Sequence, residues 1–208
     1  MNKGTVHLAL PDGLADWETG HTTAHLRSGL AHRRPGAFEV RTVGLSRDPV
    51  TTMGGSRILP DTVLDDLAPA DSVLLILPGA SSWDEAPERN APFARAARAF
   101  LDAGVPVAGI CGATAGLARE GLLDDREHTG GAAEYLAATG YRGGGRYREA
   151  DAVTDGDLVT AGPTEPVAFA REVFARLGVF EPEVLDAWYR LFAHSDASAF
   201  EVLMKAGA

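Results

Sequence analysis

The 208-residue chain contains one cysteine, Cys111. An intramolecular disulfide and any multi-cysteine zinc or iron–sulfur site are thereby excluded, which suits a reducing compartment. Basic residues are few: Lys and Arg total 19 against 29 Asp and Glu, for a net charge of −10. Binding nucleic acid requires a face that neutralises phosphates, so no nucleic-acid partner is expected. The acidic surplus serves solubility instead. Long apolar runs are also missing. The longest uncharged stretch, residues 103–118, is broken by Pro106 and several glycines. It is shorter than the roughly 20 residues a membrane span needs. The short run Val6-His7-Leu8-Ala9-Leu10 meets Pro11-Asp12 at once, too soon for a signal-peptide core. These absences predict a cytoplasmic protein without a membrane partner.

Phosphate-binding signatures are absent as well. There is no Gly-x-x-x-x-Gly-Lys loop and no Gly-x-Gly-x-x-Gly after a strand, so no nucleotide cofactor is expected. Gly143-Gly144-Gly145 follows Tyr141-Arg142 and reads as a loop. No serine occupies a Gly-x-Ser-x-Gly elbow.

What remains is an ordinary globular composition, 45% apolar and 23% charged, long enough to bury one sizeable core. No repeat or linker divides the chain. Short apolar segments alternate with helical ones. Thr5–Leu10, Phe38–Leu45, Ser72–Leu77 and Pro106–Ile110 read as strands; the third is almost wholly apolar and suits the centre of a parallel sheet. Val50–Leu59 reads as a hairpin about Gly54-Gly55, and Ala152–Ala161 as a strand pair turning at Asp155-Gly156. Helical spacing covers 15–28, 92–103, 114–122, 132–138, 166–177, 182–192 and 197–205. The alternation predicts an α/β three-layer sandwich with a mostly parallel central sheet. Residues 1–180 form the body of the domain and 181–208 a helical C-terminal extension. In such sheets ligands sit at the carboxyl ends of strands, which singles out the loops after Leu10, Leu77, Ile110 and Ala161.

The loop after Ile110 carries the strongest signal. Ala108-Gly109-Ile110-Cys111-Gly112-Ala113-Thr114-Ala115-Gly116 is a strand running into a cysteine flanked by small residues, with a helix behind it. This is the cysteine counterpart of the serine nucleophile elbow. The turn is tight, so its neighbours must be small, and the positive end of the helix favours a thiolate. The competing reading is a buried structural cysteine; the small-residue elbow favours the nucleophile. After Leu77, Pro78-Gly79-Ala80-Ser81-Ser82-Trp83 allows close backbone approach to a ligand. N–H groups of Gly79 or Ala80, with that of Gly112, are candidate oxyanion donors. Trp83 either walls a pocket or caps the core.

After the first strand, Asp16 fits a helix cap or a pocket acid, whereas Glu18 lies one turn further in. Glu18 is a candidate proton carrier for Cys111 or substrate; a cap or dipole role is the alternative, and it accounts for Glu18 less simply than for Asp16. Among the histidines, His128 is the best candidate base or orienter, with a surface-loop position as the alternative. His7 reads as an interior strand residue, His32 as solvated beside Arg33-Arg34, and His194 as remote. His21 and His25, four apart, have the spacing of metal ligands but no orienter, and solvent-facing positions explain them as well; no metal is expected.

Taken together, these segments resemble the ThiJ/PfpI superfamily of class I glutamine-amidotransferase-like proteins. The carriers are Ala15-Asp16-Trp17-Glu18, Pro78-Gly79-Ala80, Ile110-Cys111-Gly112-Ala113, His128-Thr129-Gly130 and Leu158-Val159-Thr160-Ala161. The resemblance runs from Thr5 to about Gly178. It implies a flavodoxin-like α/β sandwich and, commonly, a homodimer; no cofactor is expected. It further implies that Cys111 is the reactive cysteine, that Glu18 contacts its sulfur, and that His128 lies near the pair. Two departures stand out. Gly112 follows the cysteine where the peptidase branch has a histidine, and Thr160-Ala161-Gly162-Pro163-Thr164-Glu165 lacks the His-x-Glu pair of glutamine amidotransferases. The extension from Glu181 either covers the site or joins subunits. The function expected is cysteine-dependent chemistry on a small carbonyl or amide substrate, of amidase, glyoxalase or deglycase type. The alternatives are a stress or redox protein whose cysteine is oxidised, and a small-molecule binding module with an inert thiol.

Overall fold

The computed structural model describes residues 3–207. Its sheet is organised around β6, Leu74–Leu77, whose four side chains are all buried. That is why an unbroken Leu-Leu-Ile-Leu run belongs here: a strand covered on both faces has no polar side to show. The seven-stranded order is β5-β2-β1-β6-β7-β9-β8. It uses β1 (Gly4–Ala9), β2 (Phe38–Gly44), β5 (Thr62–Val63), β7 (Val107–Ile110), β8 (Ala152–Asp155) and β9 (Leu158–Ala161). All neighbours pair in parallel except β8 and β9. A separate hairpin joins β3 (Val50–Thr51) to β4 (Arg57–Ile58), as the Gly54-Gly55 pair predicts.

The chain leaves β1 toward β2 on one side and later adds β6 and β7 on the other. Right-handed crossovers then put the connecting helices on opposite faces. α1 (Gly20–Ser28) packs on α6 (Pro166–Leu177), while α3 (Pro87–Asp102) packs on α4 (Gly112–Arg119). The crevice between the carboxyl ends of β1 and β6 is where the strand order reverses, the place where such sheets bind ligands. Register aligns those ends: Leu8 pairs with Ile76, Leu77 with Gly109, and Ile110 with Ala161. The loops that follow therefore open on one edge.

Element boundaries differ from the sequence expectation in instructive places. The first helix begins at Gly20 rather than near Ala15, because residues 14–18 are tied to other loops. Leu14 bridges to Ala80, and the Ala15 N–H donates to the Gly79 carbonyl at 2.9 Å. Its end is as expected, with Gly29 in the left-handed conformation at φ 70°. α3 begins five residues before Pro92, at Pro87, a first-turn position where a missing N–H is harmless. α2 (Ser82–Glu85) and the two-residue β5 carry no pattern long enough to read.

The helical extension, α7 (Pro182–His194) and α8 (Phe200–Ala206), lies over α6 and α1. Trp188 is buried with its ring edge-on to Phe174 at 4.9 Å. His21 and His25 stack at 6.2 Å and meet Trp188 and Phe192 edge-on. The two histidines thus support this helix, and the solvent-facing reading of them is replaced by an aromatic packing one. Among the described residues, no group of three or more His, Cys, Asp or Glu is placed to hold a metal ion. No described helix is long and apolar enough to cross a membrane.

Candidate active site

Cys111 sits between β7 and α4 with φ 57° and ψ −126°. A non-glycine residue is strained in this region by about 1–3 kcal/mol. The surroundings over-determine it. Its N–H donates to the Ala161 carbonyl at 3.0 Å, and its carbonyl accepts from the Thr114 N–H and hydroxyl at 3.0 and 2.6 Å. The small residues behind the elbow have a packing reason. A Cβ on Gly112 would lie 3.2 Å from the Trp83 Cβ, and one on Gly116 would enter the Trp83 ring. Trp83 is only 1% exposed and donates from Nε1 to the Pro78 carbonyl at 2.9 Å. It caps the core beneath the elbow; it is not a pocket wall.

Glu18 reaches the cysteine from the loop after β1. It is wholly buried, with Oε2 accepting the Gly79 N–H at 2.6 Å and Oε1 left without a protein partner. Gly79 is where acid and thiol converge. A Cβ there would fall 2.7 Å from Glu18 Oε1 and 2.8 Å from Cys111 Cβ. Because the Gly79 N–H already holds the carboxylate, it is not a free oxyanion donor as the sequence suggested. Ala80 and Gly112 do line the cavity beside the sulfur.

Two acids this close in a dry site do not both ionise readily. Burial raises Glu18 to about 7, against the pull of the Gly79 N–H and the Cys111 side chain. Burial first, and the Glu18 charge second, push the Cys111 thiol up to about 12; the Gly112 N–H pulls the other way. The expected thiolate is therefore corrected. Around neutral pH the pair holds at most one negative charge, on the carboxylate, because burial and a facing acid outweigh the half-charge of a helix end. The arrangement is a thiol beside its own proton acceptor.

Other sequence candidates lie elsewhere. His128 is buried, its Nδ1 donating to the Arg126 carbonyl at 2.8 Å. A carbonyl only accepts, so Nε2 accepts from the Tyr141 hydroxyl at 3.0 Å. Both nitrogens are engaged away from Cys111, and the base role is not supported; the ring organises its loop, packed between Tyr141 and Tyr147. Asp16 accepts from the Gly54 N–H at 2.7 Å. Hydrogen bonds from Thr52 first and Gly54 second hold it below the usual carboxylate range. It fastens the β3–β4 hairpin and lies outside the cavity, but that hairpin carries Met53 into the cavity wall. His32 is buried, donating from Nε2 to the His25 carbonyl at 3.0 Å, and is not solvated.

The sulfur opens on a cavity of about 340 Å³. Four lining side chains, Trp17, Met53, Asp84 and Tyr135, were not among the site residues expected from sequence. The Tyr135 hydroxyl donates to Asp84 Oδ1 at 2.7 Å, and Trp17 Nε1 donates to the Pro163 carbonyl at 3.3 Å. No residue of the C-terminal extension lines it.

Residues 4–176 match the family described as DJ-1/PfpI. The chain belongs to the DJ-1/PfpI family. A curated member of similar length, the uncharacterized protease YoaZ of Bacillus subtilis (strain 168), is 38% identical over 194 residues, covering 92% of this chain and 91% of that one. The solved thiJ/pfpI family protein from Bacillus anthracis superposes with a TM-score of 0.91 at 37% identity, covering 99% of this chain and 98% of the other. The DJ-1 superfamily protein Atu0886 from Agrobacterium tumefaciens gives 0.82 at 36% identity, covering 92% and 98%. The seven-stranded sheet flanked by helices is thus the flavodoxin-like DJ-1/PfpI fold.

Proposed function

We propose that this DJ-1/PfpI chain is a cysteine-dependent enzyme acting on a small carbonyl or amide compound. The observation that carries the reading is the strained Cys111 at the floor of a cavity, with the buried, half-unpartnered Glu18 beside it. Strain held in place by hydrogen bonds, and an acid raised to about 7, are features concentrated at catalytic sites. As Sγ bonds to the carbonyl carbon, its proton passes to the Glu18 carboxylate and the carbonyl π electrons move to oxygen. With a 2-oxoaldehyde the proton then goes to that oxygen, giving a thiohemiacetal. The carboxylate next moves that carbon's C–H proton, by way of an enediol, to the neighbouring carbonyl carbon. This leaves a 2-hydroxyacyl thioester that water hydrolyses to the hydroxy acid and free thiol. With an amide the thiol proton goes to the leaving nitrogen, and water hydrolyses the thioester. The Gly112 N–H is the candidate oxyanion donor.

The relative's name suggests peptide hydrolysis as a second substrate class. Gly112 directly after the cysteine, and the satisfied His128, leave no imidazole for a Cys–His pair, which favours the small substrate. Turnover of methylglyoxal and of simple aliphatic amides by wild type and Cys111→Ala tests the reading. The variant is expected to fall to background; equal turnover by both proteins would overturn it.

A further inference from the structure

The cavity is chemically one-sided. Not one Lys, Arg or His lines it, whereas two carboxyl groups do, Glu18 at the floor and Asp84 at the mouth. Two aromatic side chains line the space with them. Trp17 is 53% exposed, unusual for an indole, and is moored by its N–H to the Pro163 carbonyl rather than packed away. Tyr135 is moored by its hydroxyl to Asp84. Arg119 lies near enough to act on Tyr135, but its guanidinium donates to the Trp83 carbonyl at 3.1 Å and does not line the cavity. The partial positive charge of the α4 N-terminus amounts to about half a unit, less than that of a single carboxylate. Aromatic rings with a nearby carboxylate are the recipe for holding an organic cation. The buried Glu18 Oε1, without a protein oxygen or nitrogen partner, faces Cys111 at the opposite end of this space from Asp84 and is kept for the thiol proton.

We propose that Trp17, Asp84 and Tyr135 form a cation-accepting mouth, and that the substrate is a carbonyl or amide compound bearing a protonated amine or quaternary ammonium a few atoms from the reacting carbon. This rests on the reading of the Cys111 cavity as the reaction site and deepens it. In this arrangement Cys111 and Glu18 act on the carbonyl end, while Asp84 and the two rings receive the ammonium end. Met53, carried in by the β3–β4 hairpin, supplies apolar contact for the stem.

The test uses methanethiosulfonate probes of opposite charge on the full chain. The thiolate attacks the probe's sulfenyl sulfur, forming a mixed disulfide and releasing methanesulfinate. Modification rates of Cys111 by the trimethylammonium-ethyl and sulfonato-ethyl reagents are measured, each normalised to the rate with N-acetylcysteine. The normalised preference for the cationic probe is expected to be about tenfold or more at low salt, to fall with ionic strength, and to drop several-fold in Asp84→Asn. No preference beyond that of the small thiol, or a preference untouched by Asp84→Asn, overturns the proposal. Hydrolysis of glycinamide, an amide with a protonated amine beside its carbonyl carbon, gives the second readout: Asp84→Asn is expected to raise its KM more than it changes kcat, and an unchanged KM counts against the mouth. Failure of the enzymatic reading is separately visible, because Cys111→Ala would then leave methylglyoxal turnover intact while the charge preference in labelling remained measurable on wild type.

Discussion

The Gly79 N–H donates to Glu18 Oε2 at 2.6 Å, and this hydrogen bond holds a wholly buried acid against Cys111. It joins the loop after β1 to the loop after β6 across the reversal in strand order. Acid and sulfur thus come from the loops after β1 and β7, the two strands that flank β6, and the glycine in the β6 loop between them leaves room for both.

Replacing Glu18 by Gln keeps a carbonyl acceptor for the Gly79 N–H but removes the proton acceptor. Turnover is expected to fall by roughly 10²–10⁴-fold, the usual contribution of a positioned base. Wild-type kcat/KM is expected to rise through about pH 7, where Glu18 ionises, and the variant to lose that limb. Steady-state kinetics across pH 5–9, taken here as roughly two pH steps either side of neutrality, checks both.

Gly79→Ala would put a methyl 2.7 Å from Glu18 Oε1 and 2.8 Å from Cys111 Cβ. The acid must move, so activity is expected to collapse together with a loss of about 1–3 kcal/mol of stability. Urea denaturation and turnover measured on the same preparation check this; a fully active, fully stable variant contradicts the packing described.

Glu18 also sets a pH dependence of stability. Its carboxyl is raised from 4.5 to about 7 on folding, so the native state keeps a proton that the unfolded chain has released. Stability conferred by that proton is complete below the unfolded value and is lost as pH rises toward about 7. The amount is roughly 3 kcal/mol. In Glu18→Gln this decline is expected to vanish from a urea series.

His25 works in the opposite sense. Burial first, then the charges of His21 and His32, push it down to about 4. The unfolded chain binds a proton there before the native one does, so stability is lost as pH falls from 6.5 toward 4. His25→Gln is expected to flatten this acid limb, whereas Glu18→Gln steepens it. Thermal melts at intervals of about half a pH step resolve the two.

Much of this was legible in the chain because it depends on local pattern. The Leu74–Leu77 run announced a central strand, the small residues around Cys111 an elbow, and Gly29 and Gly178 the helix ends. What stayed hidden depends on contacts between distant segments. Trp17, Asp84 and Tyr135 share no motif and meet only once the loops after β1 and β6 and the segment around α5 (Ala133–Ala137) assemble. Asp16 resembled a cap because its real partner is a hairpin 38 residues away. His128 resembled a base because sequence does not reveal that Arg126 and Tyr141 occupy both its nitrogens. The acid beside Cys111 was anticipated in Glu18, but the depth of burial that raises both groups was not legible, so the thiolate expectation weighed the helix end alone.

The most direct test of the central claim is the rate of Cys111 alkylation by iodoacetamide against pH, in wild type and in Glu18→Gln. With the acid beside the sulfur, the wild-type thiol titrates far above an ordinary cysteine, near 12. Removing the facing charge is expected to bring its midpoint down and speed labelling at pH 8, a point about half a pH step below the ordinary thiol value. Superimposable profiles in the two proteins would show that Glu18 and Cys111 do not act as a pair.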